Sequence, residues 1–131
     1  MYQITAIFNK SSLSDVLQGL YDSDIEGVTV TDVIGKGGLG FIEKNGTPDL
    51  DSKVMITIVV SDDTFKTAAM EAIRANTQDM GHGAGKMWIT PVLEVERIRT
   101  GEKDASALMQ SHDKKSAHKE NYYTETDTPS S

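Results

Sequence analysis

Cysteine is absent from the 131 residues. That excludes a disulfide framework, thiolate metal ligation and a thiol nucleophile. Long hydrophobic runs are also missing: no apolar stretch approaches the ~18 residues of a spanning helix, which excludes an integral helical membrane protein. Met1-Tyr2-Gln3-Ile4 starts a strand pattern at once, without the charged and apolar regions of a secretory leader. The expected compartment is the cytosol. Basic residues are scarce, with 13 Lys and Arg against 20 Asp and Glu and a net charge of −7, which argues against nucleic acid as a partner. What is present is ordinary for a globule: 37% hydrophobic residues, in a length that fits one domain.

Residues 103–131, from Lys103 through His112-Asp113-Lys114-Lys115 to Thr128-Pro129-Ser130-Ser131, have little apolar content and no sustained periodicity. Most of this stretch reads as a disordered tail, with room for one short turn at Ala105-Ser106-Ala107-Leu108-Met109. The body that remains is small, and association would complete its core.

Along that body, Tyr2, Ile4, Ala6 and Phe8 alternate as one face of a strand. Ser11-Ser12-Leu13-Ser14-Asp15 offers hydroxyl caps, and Leu13, Val16, Leu17 and Leu20 follow at helical spacing to about Asp24. Gly27-Val28-Thr29-Val30-Thr31-Asp32-Val33-Ile34 is β-branched and closes at Gly35. Residues 36–52, with their glycines and Pro48, read as a long exposed loop; residues 53–60 read as a strongly apolar strand. Asp62 and Asp63 start a second helix through Phe65, Ala68, Ala69, Ala72 and Ile73. After the glycine-rich turn 81–85, residues 87–93 form the last strand. The order β-α-β-β-α-β predicts an α+β, ferredoxin-like domain with a long loop between strands 2 and 3. Trp88 reads as a core anchor, and Met55, Met70, Met80 and Met87 as core filling.

Three clusters bear on chemistry. Gly35-Lys36-Gly37-Gly38-Leu39-Gly40 is formally G-x-G-x-x-G, but Gly46 and Pro48 break the helix that a dinucleotide fold requires there, so a loop hinge is the better account. Gly81-His82-Gly83-Ala84-Gly85-Lys86 is not a P-loop, although its glycines let backbone N–H groups approach an anion and Lys86 adds charge. An ordinary helix-to-strand turn fits this pattern equally. In extended chain Arg97 and Arg99 point to one side, suiting a phosphate or carboxylate, or else ion pairs to Glu94, Glu96 or Glu102. The histidines His82, His112 and His118 have no metal-ligand spacing, and no nucleophile–base constellation is present.

Together these residues resemble the P-II signal-transduction family. The strand 27–35 leading into a long loop, the strand 53–60 followed by Ser61-Asp62-Asp63, the turn Gly83-Ala84-Gly85-Lys86 and above all Arg97-Ile98-Arg99-Thr100-Gly101-Glu102 carry the likeness. It covers residues 1–109 and leaves 110–131 as a tail. The resemblance implies a homotrimer with an adenine nucleotide (ADP, AMP or ATP) in each inter-subunit cleft, bound reversibly rather than as a resident cofactor. Carried over, Gly83, Gly85 and Lys86 would hold phosphates with Arg97 and Arg99, and Gly35 and Gly37 would line the cleft. Ile7, Thr29 and Val59 would flank base and ribose, and Lys53 would reach phosphate or effector. Lys36, Gly38, Leu39, Gly40 and Phe41 would belong to an effector loop spanning 36–52, which docks on a membrane transporter or regulatory enzyme.

The chain also departs from the family. Leu39 stands where 2-oxoglutarate sensors carry a magnesium-ligating glutamine, residues 36–52 contain no tyrosine, and Ala84 replaces an acidic residue. These changes turn the expectation toward the P-II-like branch linked to bicarbonate and carboxysome genes. Nitrogen regulation of ammonium transport and assimilation is the alternative. The function expected is that of a non-enzymatic, cytoplasmic, nucleotide-sensing regulator recruited to the membrane by a transporter. A slow ATPase and a plain structural trimer are the competing classes.

Overall fold

A computed structural model describes residues 1–35, 43–44, 47–48, 51–77, 84–108 and 110, giving for 43–44, 47–48 and 51 the backbone alone. The expected loop residues Lys36, Gly37, Gly38, Leu39, Gly40 and Phe41, the turn residue Gly83, Met80 and the tail 111–131 lie outside the described residues.

Strand β1 (Tyr2–Asn9) shows the predicted alternation, with Ile4, Ala6 and Phe8 buried. It is central in a four-stranded sheet ordered β2-β5-β1-β6, where β2 is Val28–Gly35, β5 is Asp51–Val60 and β6 is Gly85–Pro91. Every pairing is antiparallel. Two short segments between β2 and β5, β3 (Glu43–Lys44) and β4 (Thr47–Pro48), pair with each other in what was expected to be plain loop. β5 starts two residues before the expected Lys53, because Asp51 and Ser52 pair with Gly35 and Ile34.

Helix α1 (Leu13–Asp22) buries Val16 and Leu20, and α2 (Asp63–Ala75) buries Phe65, Ala69 and Ile73. These join Val54, Ile56, Ile58 and Val60 of β5 in one core on one side of the sheet. The α+β, ferredoxin-like architecture read from the sequence is therefore the fold. Asp62 caps α2, its carboxylate accepting from Phe65 N–H at 2.9 Å. Ser12 stands at the N-cap of α1 but makes no side-chain capping bond; a 3-10 turn, Lys10–Ser12, leads in instead. The helices approach closely at Gly19, where a Cβ would lie 2.9 Å from Asn76 Nδ2 and 3.4 Å from Ala72 Cβ.

Helices α1 and α2 leave the other sheet face to the outward-pointing side chains of the strands. Register places Thr29, Thr57, Thr5 and Trp88 in one row across all four strands, and Thr31, Met55, Ile7 and Lys86 in the next. Trp88 is thus not the core anchor expected: β6 starts at Gly85, so Met87 and Ile89 turn inward while Trp88 stays 41% exposed. Met55 likewise shares the open face, whereas Met70 and Met87 pack against the core.

Candidate functional site

The start of β6 is shaped by Gly85, whose φ of +125° an L side chain rarely adopts. A Cβ there would sit 2.1 Å from Ile7 O. The absence of a side chain lets β6 press against β1 and sets Lys86 directly opposite Ile7. Around this contact lies a hollow of ≈ 290 Å³ lined by Ile7, Ile73, Arg74, Thr77, Gly85 and Lys86 among others. Lys86 is exposed and makes no ion pair among the described residues.

A second, larger hollow of ≈ 460 Å³ opens at the other edge, where β2 begins and β5 ends. Thr29, Thr57, Val59, Arg97 and Gln110 are among its lining residues. Its size falls within the usual range of ligand pockets, about 300–1,000 Å³.

Arg97 enters this hollow by a route that extended-chain geometry did not foresee. Residues 97–102 form a turn: Arg97 N–H donates to Glu102 O, and Gly101 N–H donates to Arg97 O, both at 2.8 Å. Gly101, at φ +76°, permits the reversal, and Glu96 pairs with Lys103 below it. Arg97 and Arg99 therefore do not share a side by strand alternation. Arg97 turns inward, Nη2 donating to Ala107 O at 3.0 Å in helix α3 (Asp104–Leu108). Its Nε lies 3.3 Å from Glu102 Oε1, shut away from solvent and without a hydrogen bond among the described residues. Arg99 stays exposed on the turn.

Two further expected residues stand apart from both hollows. Lys53 lies on the open sheet face, only 6% exposed, where Nζ donates to Asn9 Oδ1 at 2.9 Å. Gly35 ends β2, paired with Asp51. The residues expected to surround one ligand are thus divided: Ile7, Gly85 and Lys86 at the β6 edge, Thr29, Val59 and Arg97 at the β2 edge. Lys86, Ile7, Met55 and Thr31 occupy successive strands of one row. Three strand spacings of about 4.8 Å hold Lys86 and Thr31 about 14 Å apart. Sequence reasoning missed Gln110, a buried residue of the second hollow placed in the expected tail; a single polar residue without periodicity carries no signal.

A ferredoxin-like sheet with two helices on one face and a hollow at each edge offers surfaces on which small molecules or partners can be held. Residues 1–102 match the family described as nitrogen regulatory protein P-II. Nitrogen regulatory protein P-II 1 of Methanothermobacter thermautotrophicus is 40% identical, an alignment covering 82% of this chain and 97% of that protein. Nitrogen regulatory protein P-II of Azospirillum brasilense is 36% identical, and nitrogen regulatory protein P-II 1 of Escherichia coli 38%, each over 82% of this chain and 100% of the relative. The chain belongs to the P-II family of signal-transduction regulators.

Proposed function

We propose that this chain is an adenine-nucleotide-responsive regulator whose binding sites form between the subunits of a homotrimer. The observation that carries this reading is the division of the expected ligand residues between two hollows on different edge strands. No single protomer surrounds a ligand with both sets, whereas a rotationally repeated contact brings the Lys86 edge of one copy to the Arg97 edge of the next. The buried Arg97 Nε–H and the Lys86 ammonium, which makes no ion pair among the described residues, would supply donors for phosphate. The sheet face away from α1 and α2, with Trp88, Ile7 and Met55, supplies surface to bury on association.

The test is calorimetric titration of the full chain with AMP, ADP and ATP, repeated on Lys86→Ala. Loss of one charge-assisted contact of about 1.5–3 kcal/mol weakens binding about ten- to a hundredfold. Unchanged ADP affinity in a folded Lys86→Ala protein would show the site is elsewhere.

The names of the relatives support nitrogen regulation as the output, with ammonium transport and assimilation as its object. Leu39 favours a second reading. Its side chain has no oxygen to complete an octahedral Mg²⁺ shell beside a ketoacid, so bicarbonate beside AMP or ADP becomes the second ligand and inorganic-carbon uptake the output. In both readings the loop 36–52 meets a transporter or enzyme, drawing a cytoplasmic protein to the membrane. Titrating 2-oxoglutarate with Mg-ATP, and bicarbonate with AMP or ADP, separates them.

A further inference from the structure

Past its last pair with β2, Val28↔Ile58, strand β5 runs on without a ladder partner on that side among the described residues. Backbone polar groups left this way are costly when buried. The Gln110 side chain fills the gap: Oε1 accepts from Ser61 N–H at 2.8 Å and Nε2 donates to Val59 O at 2.9 Å. One carbonyl and one N–H meeting two backbone groups two residues apart is what a single residue of a parallel neighbouring strand would offer through its own C=O and N–H. The residue is 8% exposed and reaches across some fifty positions of sequence to do this. It also lies eight residues past the range 1–102 that matches the family (110 − 102).

Gln110 follows α3 by two residues, and α3 supplies the carbonyl of Ala107 that accepts from Arg97 Nη2. Gln110 and Arg97 line the same hollow, together with Ala107 and Leu108. We infer that Gln110 is a positioning residue for Arg97: by completing the β5 ladder it pins α3, and α3 holds the guanidinium turned into the hollow. The inference rests on the proposed nucleotide reading for its functional consequence, while its structural half stands without a ligand. Pinning the acceptor beforehand lowers the ordering cost that a ligand must meet on binding.

Two measurements on the full chain test this. In ligand-free protein, the Arg97 Nε–H resonance should exchange slowly with water, and Gln110→Ala should speed that exchange at least tenfold while amide signals of β1 and α2 stay in place. An unchanged Arg97 signal overturns the inference, whatever the protein binds. With ADP, Gln110→Ala should weaken affinity about tenfold, the scale expected when two ordering hydrogen bonds are lost. In an Arg97→Ala background the same change should add less than twofold, since its route of action is already gone. Full additivity would reduce Gln110 to a general structural contact and also overturn the inference. Absence of ADP binding in the wild type would count against the nucleotide reading alone, leaving the exchange measurement to decide the tether.

Discussion

Replacing Gly85 with alanine strikes the contact that places Lys86. The added Cβ would lie 2.1 Å from Ile7 O, 2.9 Å from Phe8 Cα and 3.0 Å from Phe8 Cβ, all on the central strand. None of these is the free end of a flexible side chain, so β6 itself must move. Holding an alanine at φ +125° costs about 1–3 kcal/mol in backbone strain. Parting the Gly85–Phe8 end of the ladder gives up one or two hydrogen bonds, each worth about 0.5–1.5 kcal/mol net. The sum, about 1.5–6 kcal/mol, lowers Tm by on the order of 5–35 °C in a domain of this size. Thermal and urea denaturation at matched protein concentration measure it. Gly27→Ala is the control, because a Cβ there meets nothing within 4 Å, and its stability should stay within about 0.5 kcal/mol of wild type. A Gly85→Ala protein equally close to wild type would refute the reasoning, showing that β6 does not depend on the close approach.

Asp62→Ala removes the α2 cap and should cost about 1 kcal/mol, read as a lower urea midpoint with an unchanged slope. The Tyr2–Asp63–Lys66 group on the surface gives two pH effects of opposite sign. The Tyr2 hydroxyl and then Lys66 hydrogen-bond to the Asp63 carboxylate and hold it below its ordinary 3.8, so its stabilisation is present above that value and fades as pH falls through the lowered one. The same carboxylate raises Tyr2 above 10.0, so stability fades as pH rises through the raised value; Asp63→Asn should flatten both limbs of a stability–pH profile. 2-Oxoglutarate titrated into protein already saturated with Mg-ATP should give no measurable heat in the wild type, and Leu39→Gln should restore it if the missing oxygen is the cause.

The parts of the fold set by local pattern were legible. The period-2 face of β1, the helical spacing of α1 and α2, and the Asp62 cap all stand where the residues put them. What escaped was set by partners distant in sequence. Asp51 and Ser52 are strand residues only because Gly35 and Ile34 lie opposite. Trp88 faces outward because the strand starts at Gly85, a start fixed by contact with Ile7 and Phe8. The β3–β4 pair did have a local signal, Asn45-Gly46 between the two segments, a dipeptide that favours tight hairpins. For the candidate site, Gly85, Lys86 and Arg97 carried signals of their own chemistry. The division of those residues into two hollows did not, because it depends on strand order, and Gln110 gained its role only through the unfilled ladder of β5.

A subunit-mixing experiment tests most directly the claim that one nucleotide site is built from two protomers. Lys86→Ala spoils the β6-edge hollow and leaves the β2-edge hollow whole; Arg97→Ala does the reverse. Each variant alone should bind ADP about ten- to a hundredfold more weakly than wild type. Unfolded together and refolded at equal amounts, random trimers with a head-to-tail interface carry about one site in four with both halves intact. Calorimetry of the mixture should therefore recover about a quarter of the wild-type sites at wild-type affinity. Exchanged subunits that recover none would contradict the account, because both halves would then have to come from one chain.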